Sequence, residues 1–382
     1  MTTIFDTEIN RTNSNSEKWD LRESVFNNQN ILPMWVADTD FMAPQEITNS
    51  LVTRLHQSPL GYTFVPNNFY SAISKWYQKR HQVTVLPENI QENATVMSSM
   101  NLLIRILTKK NAKILMFNPI YFPFFKTVKN LERQPLFYKL NFTEHGLTIN
   151  FIELEKLIAN ERPHLLLLCN PHNPGGRVWT AKDLKQLTAL TAKYHIPIIS
   201  DEIHSDLIFP GEIFTPILQI TGSNKYIYTL SAPTKTFNIA GLKSSFLISS
   251  NKESLIKFQQ LHAEGNYPKL NTLAITATIT AYTQCEYYVD ELNDYLYANY
   301  LYLKNNLNSS FTISPSQGTY LVLIKFPNKY TDNSFYKVVT QGGIGIQMGR
   351  DFGTNGKGYF RINIGTTLSN IKKAVCILNA LG

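Results

Sequence analysis

The sequence predicts an α/β protein: a large domain with a mostly parallel sheet sandwiched by helices, and a smaller α+β domain beside it. The first observation is alternation. Lys113–Phe117 (KILMF), Leu165–Cys169 (LLLLC), Ile196–Ser200 (IPIIS) and Tyr226–Leu230 (YIYTL) are short apolar runs that read as buried strands. Between the second and third lies Thr180–His195, where Leu184, Leu187, Leu190 and Tyr194 recur at helical spacing. Thr180 with Asp183 reads as a capping-box start for that helix. Strand, helix, strand at this distance makes a βαβ crossover, which brings a parallel sheet covered on both faces. The second observation is a change of character after about residue 285. A helical stretch through Tyr302 is followed by candidate strands at Thr319–Phe326 and Gly358–Asn363 and a closing helix. The expected division is a large domain over 46–284 and a small one over 285–382 that the first 45 residues join.

Composition narrows the class. With 382 residues, 43% hydrophobic and 17% charged, the chain has enough apolar matter for a sizeable core and is not of disordered type. The net charge of +8 is dispersed, with no basic stripe or reader motif, so nucleic acid is not an expected partner. Three distant cysteines, Cys169, Cys285 and Cys376, indicate no disulfide framework. Met1 to Asp20 is polar, and no apolar run reaches the roughly 18 residues that a membrane span needs. The expectation is a cytoplasmic protein without membrane contact. The histidines and cysteines form no metal-ligand spacing, and no phosphate-loop or nucleophile-elbow motif is present, so no metal is expected.

Ligands of open α/β sheets sit beyond the carboxyl ends of the strands, so the residues after each strand are the informative ones. They are Asn118-Pro119-Ile120-Tyr121, then Asn170 to Gly176, then Asp201-Glu202-Ile203-His204, and Ser231 to Lys235. Upstream, Thr95–Asn101 opens an apolar helical run and puts Ser98 and Ser99 near a helix N-terminus, whose free N–H groups and dipole suit a phosphate. An aromatic, an amide, a carboxylate, a lysine and a phosphate cradle on one sheet edge meet the needs of pyridoxal 5′-phosphate. A lysine joins its aldehyde, a carboxylate keeps its ring nitrogen protonated, and an aromatic stacks on its face.

The chain resembles the fold-type I pyridoxal-phosphate enzymes of the class I/II aminotransferase superfamily. More narrowly, it is similar to the MalY/PatB-type cystathionine β-lyases, or C–S lyases. The motifs are LPMWVADTDF (Leu32–Phe41), GYT (Gly61–Thr63), NPIYFPFF (Asn118–Phe125), CNPHNPGGRVW (Cys169–Trp179), SDEIHSDL (Ser200–Leu207), APTKTFNIAGL (Ala232–Leu242) and FRIN (Phe360–Asn363). They span nearly the whole chain in family order.

The resemblance implies a seven-stranded, mostly parallel sheet and assigns roles. Lys235 carries the cofactor and moves the Cα proton. Asp201 pairs with the ring nitrogen, Asn173 with the phenolic oxygen, and Tyr121 stacks. His204 lies near that oxygen, while Thr234, Ser98 and Ser99 serve the phosphate. Arg361, with Asn173 and Ala37, takes the substrate carboxylate. Tyr62 reaches the phosphate of a neighbouring subunit, which implies a homodimer.

Some positions depart from the pattern. Thr95 stands where relatives open the phosphate turn with glycine, Ala232 where transaminases often have serine, Lys243 where many have arginine, and Thr39 where methionine is usual. Ala232 leaves Thr234 and Ser231 as candidate hydroxyls. The implied activity is β-elimination from L-cysteine S-conjugates. An aminotransferase, and a regulatory binding protein on the same fold, are the alternatives.

Overall fold

The computed structural model describes residues 3–220 and 226–382. Seven strands build the main sheet: Ile90–Asn93 (β1), Lys113–Asn118 (β2), Gln134–Lys139 (β3), Leu165–Cys169 (β4), Ile198–Asp201 (β5), Ile227–Ser231 (β6) and Ser245–Ile248 (β7). Their spatial order is β1-β7-β6-β5-β4-β2-β3. Strands β3, β2, β4, β5 and β6 are parallel neighbours, and β7 runs against both β6 and β1.

Burial on both faces explains why these strands read as unbroken apolar runs. In β4, Leu165, Leu167 and Cys169 pack with Leu103 and Phe124 on one side, and Leu166 and Leu168 pack with Leu154, Leu184 and Leu187 on the other. All are buried, and each such leucine contributes about 1.5–3 kcal/mol relative to exposure. The crossover helix runs over Ala181–Lys193, and Thr180 and Asp183 cap it reciprocally. Its inner face carries Leu184, Leu187 and Leu190, at the spacing that identified it.

The smaller sheet is antiparallel: Thr312–Ile313 (β8), Leu321–Lys325 (β9), Gln347–Met348 (β10) and Tyr359–Asn363 (β11), in the order β8-β9-β11-β10. The 21-residue helix Glu286–Asn306 and the closing helix Leu368–Asn379 accompany it. Leu32–Pro33 pairs in parallel with Ile344–Gly345, which ties the N-terminal segment to this part of the molecule. One apolar cluster runs from Phe5 and Phe41 through Trp76 and Phe237 to Tyr288, Leu321 and Ile362, so the two sheets share a continuous core. Among the described residues no helix is long and apolar enough to cross a membrane.

Candidate active site

The loops after β2, β4, β5 and β6 converge on a cavity of about 270 Å³. Its walls include Tyr121, Asn173, Asp201, His204, Thr234 and Lys235 from those loops, Ala37 from the N-terminal segment, and Thr95, Val96 and Met97 from a helix start. Parallel strands deliver these groups to one rim because each loop begins where a strand leaves the sheet.

Asp201 is the last residue of β5 and is buried, with Oδ1 accepting from the Ile203 amide at 3.1 Å. Desolvation pushes its carboxyl up to about 7, against the pull of that amide and of Lys235. A carboxylate so placed gains from a cationic N–H partner. His204 is also buried; its Nδ1 has no hydrogen-bond partner, and its ring meets Tyr320 edge to face at 5.8 Å. Burial, with Lys235 and Arg361 nearby, lowers its pKa to about 3, so the imidazole is neutral.

Lys235 follows β6 and donates from Nζ to the Ala37 carbonyl at 2.6 Å. Desolvation lowers its pKa, the direction that frees an amine for proton abstraction. Asn173 lies in the turn after β4. That turn needs Gly176, whose φ is +62° and where a β-carbon would collide with the Ser316 side chain. Arg361 on β11 donates to Asn173 Oδ1 at 3.0 Å and to the Trp35 carbonyl at 2.6 Å. The first bond leaves the Asn173 amide nitrogen as its donor for a ligand. Arg361 is itself buried, Nε is unpartnered, and no carboxylate of the described residues pairs with it. Desolvation lowers its pKa to about 10, still cationic at neutral pH. A buried guanidinium without a counter-ion is a receptor for a carboxylate.

At the other end of the cavity, the helix Val96–Leu107 begins. Val96 and Met97, its first residues, have no intrahelical partner for their amides and line the wall beside Thr95, Thr234 and Lys243. Lys243 sits in the left-handed region at φ 56° and is exposed. The hydroxyls of Ser98 and Ser99 are placed otherwise than the sequence suggests. Ser98 is committed to the cap, with Oγ donating to the Thr95 carbonyl at 2.7 Å and its amide donating to Thr95 Oγ1 at 3.0 Å. Ser99 is buried and accepts from Asn93 Nδ2 at 3.1 Å. Neither lines the cavity; the capping residue and the two amides after it do. Ser231 likewise turns away and donates to the Glu202 carbonyl at 3.3 Å. Tyr62 is fully exposed and forms no part of this chain's cavity wall.

Sequence reasoning named Ala37 and Arg361 but missed what holds the far wall in place. Trp35 to Phe41 is a strap held across the site by side-chain bonds to its backbone. Asn363 Nδ2 donates to the Val36 and Asp38 carbonyls at 2.7 and 2.5 Å, and Asn238 Nδ2 to those of Thr39 and Phe41 at 3.0 and 2.8 Å. Tyr320 donates to the same Ala37 carbonyl as Lys235, at 3.1 Å. The hint was the FRIN segment, whose alternate residues Arg361 and Asn363 share one face of β11.

The family model for class I and II aminotransferases matches residues 57–378. The chain belongs to that family. Among curated members it is 32% identical to cystathionine β-lyase PatB of Bacillus subtilis, over 96% of this chain and 97% of that one. It is 27% identical to the protein MalY of Escherichia coli, over 99% and 98%. Of the solved structures, cystalysin of Treponema denticola, which contains a pyridoxal 5′-phosphate cofactor, superposes with a TM-score of 0.94. It is 31% identical over 100% of this chain and 98% of that one. The pyridoxal-phosphate-bound C–S lyase of Staphylococcus hominis gives 0.93 at 28% identity over 100% and 98%. These class I/II members share the whole length of this one.

Proposed function

We propose that this chain is a pyridoxal 5′-phosphate-dependent carbon–sulfur β-lyase. With water it converts L-cysteine S-conjugates, L-cystathionine among them, to a thiol, pyruvate and ammonia. The observation that carries this reading is one cavity that brings a lysine, a buried acid and Asn173 together, with the buried guanidinium of Arg361, which no carboxylate of the described residues pairs with, bonded to that asparagine from behind. Full-length similarity to proteins named as cystathionine β-lyases supports it.

The residues present fit that cofactor. Asp201 suits a protonated ring nitrogen, Asn173 Nδ2 and the neutral His204 the phenolic oxygen, and Tyr121 a ring face. The Val96 and Met97 amides, with Thr95, Thr234 and the Lys243 point charge, suit the phosphate. Bound there, the cofactor supplies an electron sink for the charge that develops at Cα. Arg361 binds the substrate carboxylate in a fork and fixes the orientation of the Cα–H bond. Lys235 removes the Cα proton onto Nζ. Asp201, held ionised by a cationic ring N–H, would keep the proton on that nitrogen. Ala37 contributes its carbonyl to the free Lys235 amine.

The same reading makes the protein a cytoplasmic homodimer. Tyr62 stands on a segment with Leu60 and Phe64, all exposed, which suits a surface that a second copy covers. Cys376 is a free, exposed thiol, which suits a reducing compartment.

Incubating purified protein with L-cystathionine and no keto acid tests the activity. Continuous release of thiol and pyruvate is expected. One equivalent of product per active site, with resumption on adding a keto acid, would instead establish an aminotransferase.

A further inference from the structure

Lys18 is the anomaly of the N-terminal arm: a lysine with no exposed side-chain surface, on the short helical turn Glu17–Asp20. Lysine is almost never fully buried unless paired. Here Nζ donates to Asp40 Oδ2 at 2.8 Å and to the Asp38 carbonyl at 3.3 Å, and lies 3.9 Å from Asp38 Oδ1. Arg11 meets the same two acids from the solvent side. Its guanidinium reaches Asp38 Oδ2 at 2.9 Å and Oδ1 at 3.2 Å in a fork, and Asp40 Oδ1 at 3.1 Å. Trp19 Nε1 also donates to Asp40 Oδ1, at 2.8 Å. The arm is pre-shaped for this by Asp20, whose carboxylate accepts from the amides of Asn13, Ser14 and Ser16. Two acids and two bases are thus closed into one cluster, and Asp38 directly follows Ala37.

We propose that Arg11 and Lys18 are positioning residues for the reaction, holding Asp38 and with it the Ala37 carbonyl that receives Nζ of Lys235. The inference rests on the reading that Lys235 is the reacting amine. Asp38 is the acid with the greatest influence on that amine, favouring its ammonium form. Arg361 opposes it, Asp201 and the exposed Glu17 assist it, and the neutral His204 faces it as well. Tyr320 shares the acceptor carbonyl. The arm's two cations offset Asp38, so that the ammonium is stabilised enough to accept the Cα proton without being locked. A structural clamp alone would affect folding. This arrangement requires in addition that neutralising the acid and neutralising its base move Lys235 in opposite directions.

The test is the pH midpoint of the visible absorbance of the full-length, cofactor-loaded protein, which changes as the proton on the Lys235 nitrogen leaves. Asp38→Asn is expected to lower the midpoint by about one pH unit, a tenfold change in the proton equilibrium. Arg11→Met is expected to raise it by a smaller step. Arg11 is partly exposed, so that variant tests the cluster without emptying its buried core, and Asp38→Asn is close to isosteric. Unmoved midpoints, or two shifts of the same sign, would overturn the proposal. If the protein binds no cofactor, the reading of the activity fails separately. The inference is then decided by acetylation of Lys235 in the full-length chain against pH, read by peptide mass spectrometry. The same opposite shifts are expected there, and equal reactivity in wild type and Asp38→Asn would overturn it.

Discussion

The two walls of the cavity are built by different logic. On the sheet-edge wall, Asp201 ends a strand and Asn173 and Lys235 each follow one by four residues, so local chain order delivers them. The opposite wall, which the strap Trp35–Phe41 enters through Ala37 and which Tyr320 and Arg361 back by bonding the strap, is assembled by bonds between residues some 200 to 330 positions apart, such as Arg361 to Trp35 and Asn238 to Thr39. Their charge states differ accordingly. The sheet edge buries an acid raised to about 7 and a histidine lowered to about 3, whereas the strap wall buries a bare guanidinium and a closed ion cluster. The sheet edge is equipped to move charge, and the strap to hold position.

The largest effect expected from breaking this contrast is at Lys235. Lys235→Ala is expected to lower kcat by at least about 10³-fold, within the range for removing a general acid–base group, with circular dichroism unchanged. On the strap side, Lys18→Met should act on stability first. It strands Asp40 and Asp38 beside a single cation, and about 3–5 kcal/mol is expected from denaturant unfolding. Arg361→Lys keeps the charge and loses the fork. About 10- to 100-fold in kcat/KM is expected, carried mainly by KM, because carboxylate binding and not proton transfer is impaired.

The smallest effect is one of slope. Glu202 lies behind Asp201, fully buried, with Oε2 unpartnered; desolvation raises its carboxyl to about 8. A raised folded-state pKa gives stability that is complete below the unfolded value and is lost as pH rises through the folded one. Cofactor-free wild type should therefore lose stability between about pH 5 and 8, and Glu202→Gln should flatten that decline. Thermal melts across that range check it.

The same contrast decides what was legible in the sequence. The runs KILMF, LLLLC, IPIIS and YIYTL mark strands within a residue or two of β2, β4, β5 and β6, because burial on both faces leaves no polar interruption. The Thr180 cap likewise announced its helix. The phosphate end was half legible. A helix N-terminus was expected there, but which hydroxyls face the cavity depends on the Thr95–Ser98 cap and on Asn93 drawing Ser99 inward, which are three-dimensional facts. The Arg11–Lys18–Asp38–Asp40 cluster gave no sequence signal, since four ordinary surface-type charges become a buried network only once the arm folds over the strap.

One measurement bears most directly on the central claim that the amine of Lys235 carries the cofactor. The full-length protein, freshly supplemented with pyridoxal 5′-phosphate, is reduced with borohydride, digested and mapped by mass spectrometry. The account expects a single pyridoxyl adduct on Lys235, with loss of the visible band. An adduct confined to another lysine, or a protein that stays colourless and unlabelled, would contradict it.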